Sequence, residues 1–318
     1  MISRRTLLAG LGASAVTHGM WLKAAAAAAG FHLSILTDEI SQDFGHACEV
    51  ASRDFGMGLV DLREAGGKNL MNWDAAQIAD VLNVLDRFKL KVACLATPIF
   101  KVDWPNAPKS PFSPKRDEFG AAFSFAQQDE LLERAFELAA QFHTDRIRIF
   151  DFWRLEDQKP HRSAIDEVVR KAVVKAARRN LTLVLENEYA CNTATGAEAG
   201  RLASAIPDKA LQITWDPGNA QFRDEVPFPG GYAAIPKGRI GHVHCKDAAR
   251  DAAGKWEWMA MGRGVIDWAE QFRALKRDGY SHAVTLETHW RGAGTPEASS
   301  RDSFAGMKAL LDKAGAAV

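Results

Sequence analysis

LTLVLENE (residues 181–188), LQITWDPGN (211–219), RIGHVHCKD (239–247) and HAVTLETHW (282–290) each read as an apolar, partly β-branched run ending on a side chain able to ligate a metal. Those ends are Glu186, Asp216, His244 and Glu287, separated by 30, 28 and 43 residues. Each of the first two gaps holds one helix and one strand, and the last adds a loop. Parallel strands closed into a barrel bring successive C-terminal ends to one mouth, so the spacing gathers four distant residues into one expected site.

Working outward, four more strands fit the same pattern: FHLSILT from Phe31, GLVDLRE from Gly58, LKVACLA from Leu90 and DRIRIFD from Asp145. Amphipathic stretches alternate with them. Trp73 to Phe88 carries Ile78, Val81, Leu82 and Leu85 at helical spacing, Asp129 to Phe142 carries Leu131, Leu132, Ala135, Phe136 and Leu138, and a last helix is expected near Ser300 to Ala314. Eight strand-helix units predict an α/β fold, a (β/α)8 TIM barrel. A doubly wound open sheet is the alternative, but the first strand-to-helix turn, LTDEISQDFG, lacks the glycines a dinucleotide fold places there. Two connections are long, Thr97 to Phe125 and Lys246 to Val265, and both follow strand C-termini; their prolines and aromatics suit lids or substrate walls.

The chain has 318 residues, of which 47% are hydrophobic and 25% charged, the composition of a globular protein with a large core. Forty basic residues balance forty acidic ones, so no global field recruits nucleic acid or an anionic membrane. The opening MISRRTLLAGLGASAVTHGMWLKAAAAAAG has a basic start, an apolar middle and an alanine-rich end. Arg4 and Arg5 give it the look of a twin-arginine signal; His18 and Lys23 interrupt the apolar run, leaving it short of the ~20 residues a membrane span requires. The expected organisation is therefore a signal peptide over 1–29, read by the twin-arginine export machinery, and a single barrel over 30–318 working in the periplasm, with no stable membrane span in the mature chain. Cys48, Cys94, Cys191 and Cys245 form no C-x-x-C, which excludes a zinc ribbon or redox motif. Self-association into a homo-oligomer is left open by the sequence.

Side-chain alternation sorts the strand ends into layers. If Glu186 points inward, Val184 lies below it and Glu188 above, and His242, His244 and Lys246 share a face in the same way. His242, one layer down, is expected to support the site by hydrogen bonding rather than to ligate. Three carboxylates and one imidazole suit Mn2+ first, with Mg2+ or Co2+ also matching an oxygen-rich octahedral site, and Zn2+ less so without thiolates.

In this order and spacing, LENE, WDPGN, HVHCKD, GRGVIDW and TLETHW resemble the xylose isomerase-like TIM barrel family, which includes sugar phosphate isomerases and epimerases, ketose 3-epimerases and inosose dehydratases. The likeness runs from about Phe31 to the C-terminus. It implies that Glu186, Asp216, His244 and Glu287 hold a divalent metal, and that Glu186 and Glu287 also serve as the catalytic acid/base pair. Asn219 stands where the free-sugar epimerases have a histidine, which implies a hydrogen bond to a substrate hydroxyl instead of a further ligand. Lys246 matches a basic position that polarises an oxygen or binds an anion, or else pairs with Asp247 or Glu188. Glu188 is a further substrate-binding candidate. Arg263 could meet a phosphate or close the turn before the helix near Ile266. Glu64 and His289 are weaker substrate contacts.

The implied activity is a metal-dependent sugar isomerase or epimerase that removes a proton α to a carbonyl and passes through an enediolate. A periplasmic lyase, dehydratase or hydratase acting on keto-sugars or 3-keto-glycosides would use the same residues. An endonuclease IV-like hydrolase is disfavoured because histidines are missing from ACLATPIFK and from position 219. A non-catalytic sugar-binding barrel would not require two metal-bound glutamates.

Overall fold

A computed structural model describes residues 31–316 apart from 106, 116, 118 and 119. The expected signal peptide, residues 1–29, lies outside the described residues. Eight parallel strands form the barrel: β1 (His32–Ile35), β2 (Leu59–Leu62), β3 (Lys91–Leu95), β4 (Arg146–Ile149), β5 (Thr182–Glu186), β6 (Leu211–Trp215), β7 (Ile240–Cys245) and β8 (Ala283–Leu286). Each falls inside a stretch expected to be a strand. Their order is β1-β8-β7-β6-β5-β4-β3-β2, and the remaining seam, between β1 and β2, is closed by a single parallel bridge from Leu36 to Asp61. The (β/α)8 TIM barrel is therefore the fold, and the open sheet is excluded.

One helix follows each strand: α1 (Phe44–Glu49), α2 (Ala75–Phe88), α3 (Gln128–Gln141), α4 (Arg162–Ala177), α5 (Gly196–Ala205), the short α6 (Pro217–Gln221), α7 (Trp268–Arg277) and α8 (Pro296–Lys313). Local chemistry sets their limits. Asp74 caps α2 by accepting from Gln77 N, and Lys89 ends it in a left-handed conformation; between them Ile78, Val81 and Leu85 are buried against the sheet. Thr195 and Glu198 form a reciprocal capping box at the start of α5. Among the described residues, no helix is long and apolar enough to cross a membrane.

A carboxylate clamp ties α4 to α5. Asp166 accepts from Arg162 Nε at 3.0 Å and from Arg201 Nη1 at 2.7 Å, and Arg162 also donates to the buried Asp151 at 2.6 Å. Burial raises the Asp166 pKa, but hydrogen bonds and charge from Arg201 and Arg162 outweigh it and hold the group below its ordinary value. A depressed carboxylate stabilises the fold above its unfolded pKa of about 4 and ceases to do so as pH falls through its folded value. Since Arg201 is partly exposed, the effect is small: Asp166→Asn is expected to lower the melting temperature by about 2 °C at pH 7. The deficit should shrink on acidification below pH ~4. A deficit that is unchanged or grows in acid would show that the clamp does not act through charge.

Candidate metal centre at the barrel mouth

The C-terminal ends of β5 to β8 deliver Glu186, Asp216, His244 and Glu287 to one place, with a ligand atom from each lying within 4.8 Å of those of the others. Glu186 Oε1 and Glu287 Oε2 stand 3.2 and 3.3 Å from the same His244 Nδ1. Asp216 sits at the junction of β6 and α6, where Pro217 starts the helix and the aspartate caps it by accepting from Asn219 N at 2.9 Å through Oδ1. Asn187 fixes that junction. Its amide donates to Asp216 O at 2.8 Å, and its carbonyl accepts from Asp216 N at 2.8 Å. Asn219 donates to Glu186 Oε1 at 3.2 Å.

The protein surrounds these carboxylates with its own cations. Arg148 Nη1 lies 3.1 Å from Glu186 Oε2, and Arg63 donates to Glu287 Oε1 at 3.0 Å. Lys246 Nζ reaches Asp216 Oδ2 at 2.8 Å and Glu287 Oε2 at 2.6 Å. Burial pushes the pKa of both glutamates up, but His244 and Arg148 at Glu186, and Lys246, His289 and His244 at Glu287, hold them well below the carboxylate range. Asp216 goes the other way, to about 7, because burial and the two neighbouring glutamates outweigh Lys246. Burial opposes charge on His244, yet Glu186, Glu287 and Asp61 raise its pKa.

A divalent cation fits this donor set. Glu186 Oε2 and Asp216 Oδ2 are buried and accept no hydrogen bond; each is held only in an ion pair, with Arg148 and with Lys246, so both keep lone pairs to offer. Oxygen-rich ligation with one imidazole suits a hard or intermediate ion.

One layer below, Asp61 organises the floor. It accepts from Ser34 Oγ at 2.8 Å and from Thr285 Oγ1 at 3.3 Å, lies 2.6 Å from His242 Nε2, and faces His244 Nε2 at 3.8 Å. His242 thus lies beneath the site and meets it through Asp61.

Above the cluster lies a cavity of about 850 Å3. Glu287 opens onto it with Arg63, Arg148, Glu188, Glu64 and His289, whereas Glu186, Asp216, His244 and Lys246 are buried under its floor. Both long loops wall it, the first through Lys101, Pro114 and Phe123 among others, the second through Trp258. The first loop is anchored by Trp104, whose ring meets Phe152 edge-on at 4.7 Å, and by Ser110 Oγ, which donates to Arg154 O at 2.6 Å. The second forms a hairpin of Asp247–Arg250 with Trp256–Met259.

The remaining charged candidates find partners around the site. Lys246 pairs with Asp216 and Glu287, not with Asp247 or Glu188, because alternation along β7 points it inward with His244. Asp247 turns the opposite way and gathers Gly262 N, Gly264 N and Ile266 N. Glu188 instead takes Lys101, at 3.0 Å. Arg263 does not line the cavity: it is exposed, pairs with Asp302 at 3.1 Å, and its N–H closes a turn onto Ala260 O. Asp61, Arg63, Arg148 and Asn187 escaped the sequence reading. For the first three the available signal was a charge at an inward position of a barrel strand.

A model of the family described as xylose isomerase-like TIM barrel matches residues 50–310. L-ribulose-5-phosphate 3-epimerase of Escherichia coli K12 is 26% identical over 193 residues, covering 60% of this chain and 66% of the relative, so the chain spans just under two thirds of the length of that protein. Among solved structures, a xylose isomerase-like TIM barrel protein from Mycobacterium smegmatis in complex with magnesium covers 91% of this chain and 99% of its own, at 14% identity and a TM-score of 0.64. The probable 3-DHS dehydratase AsbF of Bacillus anthracis covers 88% of this chain and 99% of its own, at 18% identity and a TM-score of 0.65. These two likenesses concern the fold.

Proposed function

The chain belongs to the xylose isomerase-like TIM barrel family, and from that premise we propose that it is a metal-dependent isomerase or epimerase of unphosphorylated carbonyl sugars. The observation that carries this reading is the pair of glutamates meeting at one imidazole, Glu186 and Glu287 at 3.2 and 3.3 Å from His244 Nδ1, with an aspartate completing the set. Glu186, Asp216, His244 and Glu287 would hold the divalent ion, Mn2+ being the first choice, and the ion would supply Lewis-acid stabilisation of an enediolate. One glutamate takes the proton α to the carbonyl. The other, protonated from solvent, delivers a second proton to the opposite face in an epimerase or to the neighbouring carbon in an isomerase, and the first proton leaves to solvent. Arg148 and Arg63 orient the two carboxylates, each by its own contact.

The walls favour a neutral substrate. Each basic residue among the described lining residues is already engaged: Arg63 by Asp38, Glu39 and Glu287, Lys101 by Glu188, Arg148 by Glu186, Arg291 by Glu39, and His289 by Glu287. A phosphate would have to break one of these pairs. Trp153, Trp258 and Phe123 supply flat apolar faces for the C–H side of a sugar ring. The cavity, at about 850 Å3, gives more room than one sugar ring needs, which favours as the second reading a lyase or hydratase acting on a keto-glycoside. Export by a twin-arginine signal over 1–29, placing the enzyme in the periplasm, accords with sugars that carry no phosphate.

Proton exchange from solvent deuterium oxide tests the reading whichever product follows. Free ketoses, inososes and 3-keto-glycosides should be presented with and without Mn2+, beside L-ribulose 5-phosphate. Mn2+-dependent exchange is expected with at least one unphosphorylated sugar, at least ~10-fold faster than with the phosphate. Exchange in none of them would overturn the proposal, and preference for the phosphate would overturn its substrate class.

A further inference from the structure

We propose that Lys246 is a built-in counter-cation that competes with the divalent ion for the carboxylates, so that metal binding and displacement of this ammonium are one event. The inference rests on the metal-centre reading above. Each carboxylate that Lys246 touches has one oxygen already committed. Asp216 Oδ1 accepts from Asn219 N, and Glu287 Oε1 accepts from Arg63 at 3.0 Å. Lys246 Nζ takes the other oxygen of each, Asp216 Oδ2 at 2.8 Å and Glu287 Oε2 at 2.6 Å. The second of these is the oxygen that faces His244 Nδ1. The ammonium therefore sits against the atoms a metal would need, and two cations sharing them would repel at short range in a buried site.

The surroundings provide both the seat and the exit. Gly218 leaves room for the lysine stem, since a Cβ there would come 2.8 Å from Lys246 Cγ and 3.0 Å from Trp258 Cζ3. Lys246 Nζ lies 5.0 Å from the centre of the Trp258 ring, and that ring lines the cavity. A displaced ammonium can slide along this face toward substrate while keeping a cation–π contact. Without Lys246, three carboxylates would crowd one imidazole with Arg148, Arg63 and His289 to offset them. The lysine thus holds the cluster together until a metal takes over.

The test is Mn2+ affinity, read from the electron paramagnetic resonance signal of free Mn2+, in the full chain and in Lys246→Met, Lys246→Arg and Asp216→Asn. Lys246→Met is expected to bind Mn2+ at least ~10-fold more tightly than the parent and to melt lower in EDTA, with a larger gain in melting temperature on adding Mn2+. Lys246→Arg keeps the charge and should show no tightening. Unchanged or weaker binding by Lys246→Met would overturn the proposal, as would equal tightening in both variants, which would signify relief of crowding instead of charge. Asp216→Asn separates the two readings. If it binds Mn2+ as well as the parent does, the metal centre itself is wrong; if it loses Mn2+ while Lys246→Met matches the parent, only the competition is wrong.

Discussion

Glu186→Gln and Glu287→Gln are each expected to reduce solvent proton exchange by 10²- to 10⁴-fold or more, the range set by the loss of a positioned general base. Glutamine keeps the volume of the side chain, and at position 287 its carbonyl can still accept from Arg63, so the barrel should fold with its cooperative transition intact. What it cannot do is take a proton from carbon. Each variant also loses a carboxylate ligand, so exchange must be compared with Mn2+ raised until the rate no longer rises. At that plateau the residual rate reports the chemistry alone. The two variants should differ in kind as well. If one glutamate serves each face of the substrate, an epimerase carrying a single substitution should still wash deuterium into one epimer faster than into the other, whereas an isomerase should lose both directions together. Exchange within tenfold of the parent in both variants would remove the acid/base assignment and leave a binding site.

The strand ends were legible in the sequence because a barrel imposes a rule on them. Glu186, Asp216, His244 and Glu287 each close an apolar run, and a carboxylate or imidazole at that point of a buried strand has few roles other than the site. The cations around them obeyed a different logic. Arg148 in DRIRIFD and Arg63 in GLVDLRE alternate with apolar neighbours, and in an antiparallel sheet such alternation marks a wet face. A barrel buries both faces of each strand, so the same alternation here aims charge into the interior. For Lys246 the sequence offers an oxygen- or anion-binding role, or a pair with Asp247 or Glu188; period-two geometry turns Asp247 away toward the 262–266 turn and leaves the lysine facing Asp216 and Glu287 across the mouth. Asn187 belongs to the LENE motif, and its work, clamping the backbone of Asp216, depends on a register between β5 and β6 that spacing alone does not define. The long loops could be placed at the catalytic rim from their positions. Which of their aromatics reach the cavity is set by packing, as with Trp258, whose ring stacks on Phe222 at 3.9 Å.

Asp61→Ala is expected to be the most destabilising single change in the barrel interior, by about 3–5 kcal/mol, the cost of stripping one partner from a buried charged pair. The carboxylate is fully buried on β2, and it touches side chains from three other strands: Ser34 from β1, His242 and His244 from β7, and Thr285 from β8. Its residue also carries the only parallel bridge, among the described residues, that closes the seam between β1 and β2. Burial raises the Asp61 pKa, but His242 and His244 together hold it well below the usual carboxylate range, so the group is charged wherever the barrel is folded near neutrality. Alanine would leave two hydroxyls and two imidazoles around a small buried cavity without the carboxylate they share. A fall in melting temperature on the order of 10 °C should follow. Asp61→Asn should recover part of it, since the amide still accepts from Ser34 while losing the charge opposite His242. The same variants should weaken Mn2+ binding by roughly 10- to 100-fold if the charge of Asp61, 3.8 Å from His244 Nε2 and not hydrogen-bonded to it, keeps the imidazole turned with Nδ1 toward the cluster. Stability and metal affinity therefore decline together if Asp61 orients the histidine. Should Asp61→Ala melt within ~2 °C of the parent, or lose stability with Mn2+ affinity untouched, the aspartate would be a packing element alone and the imidazole would owe its orientation to Glu186 and Glu287.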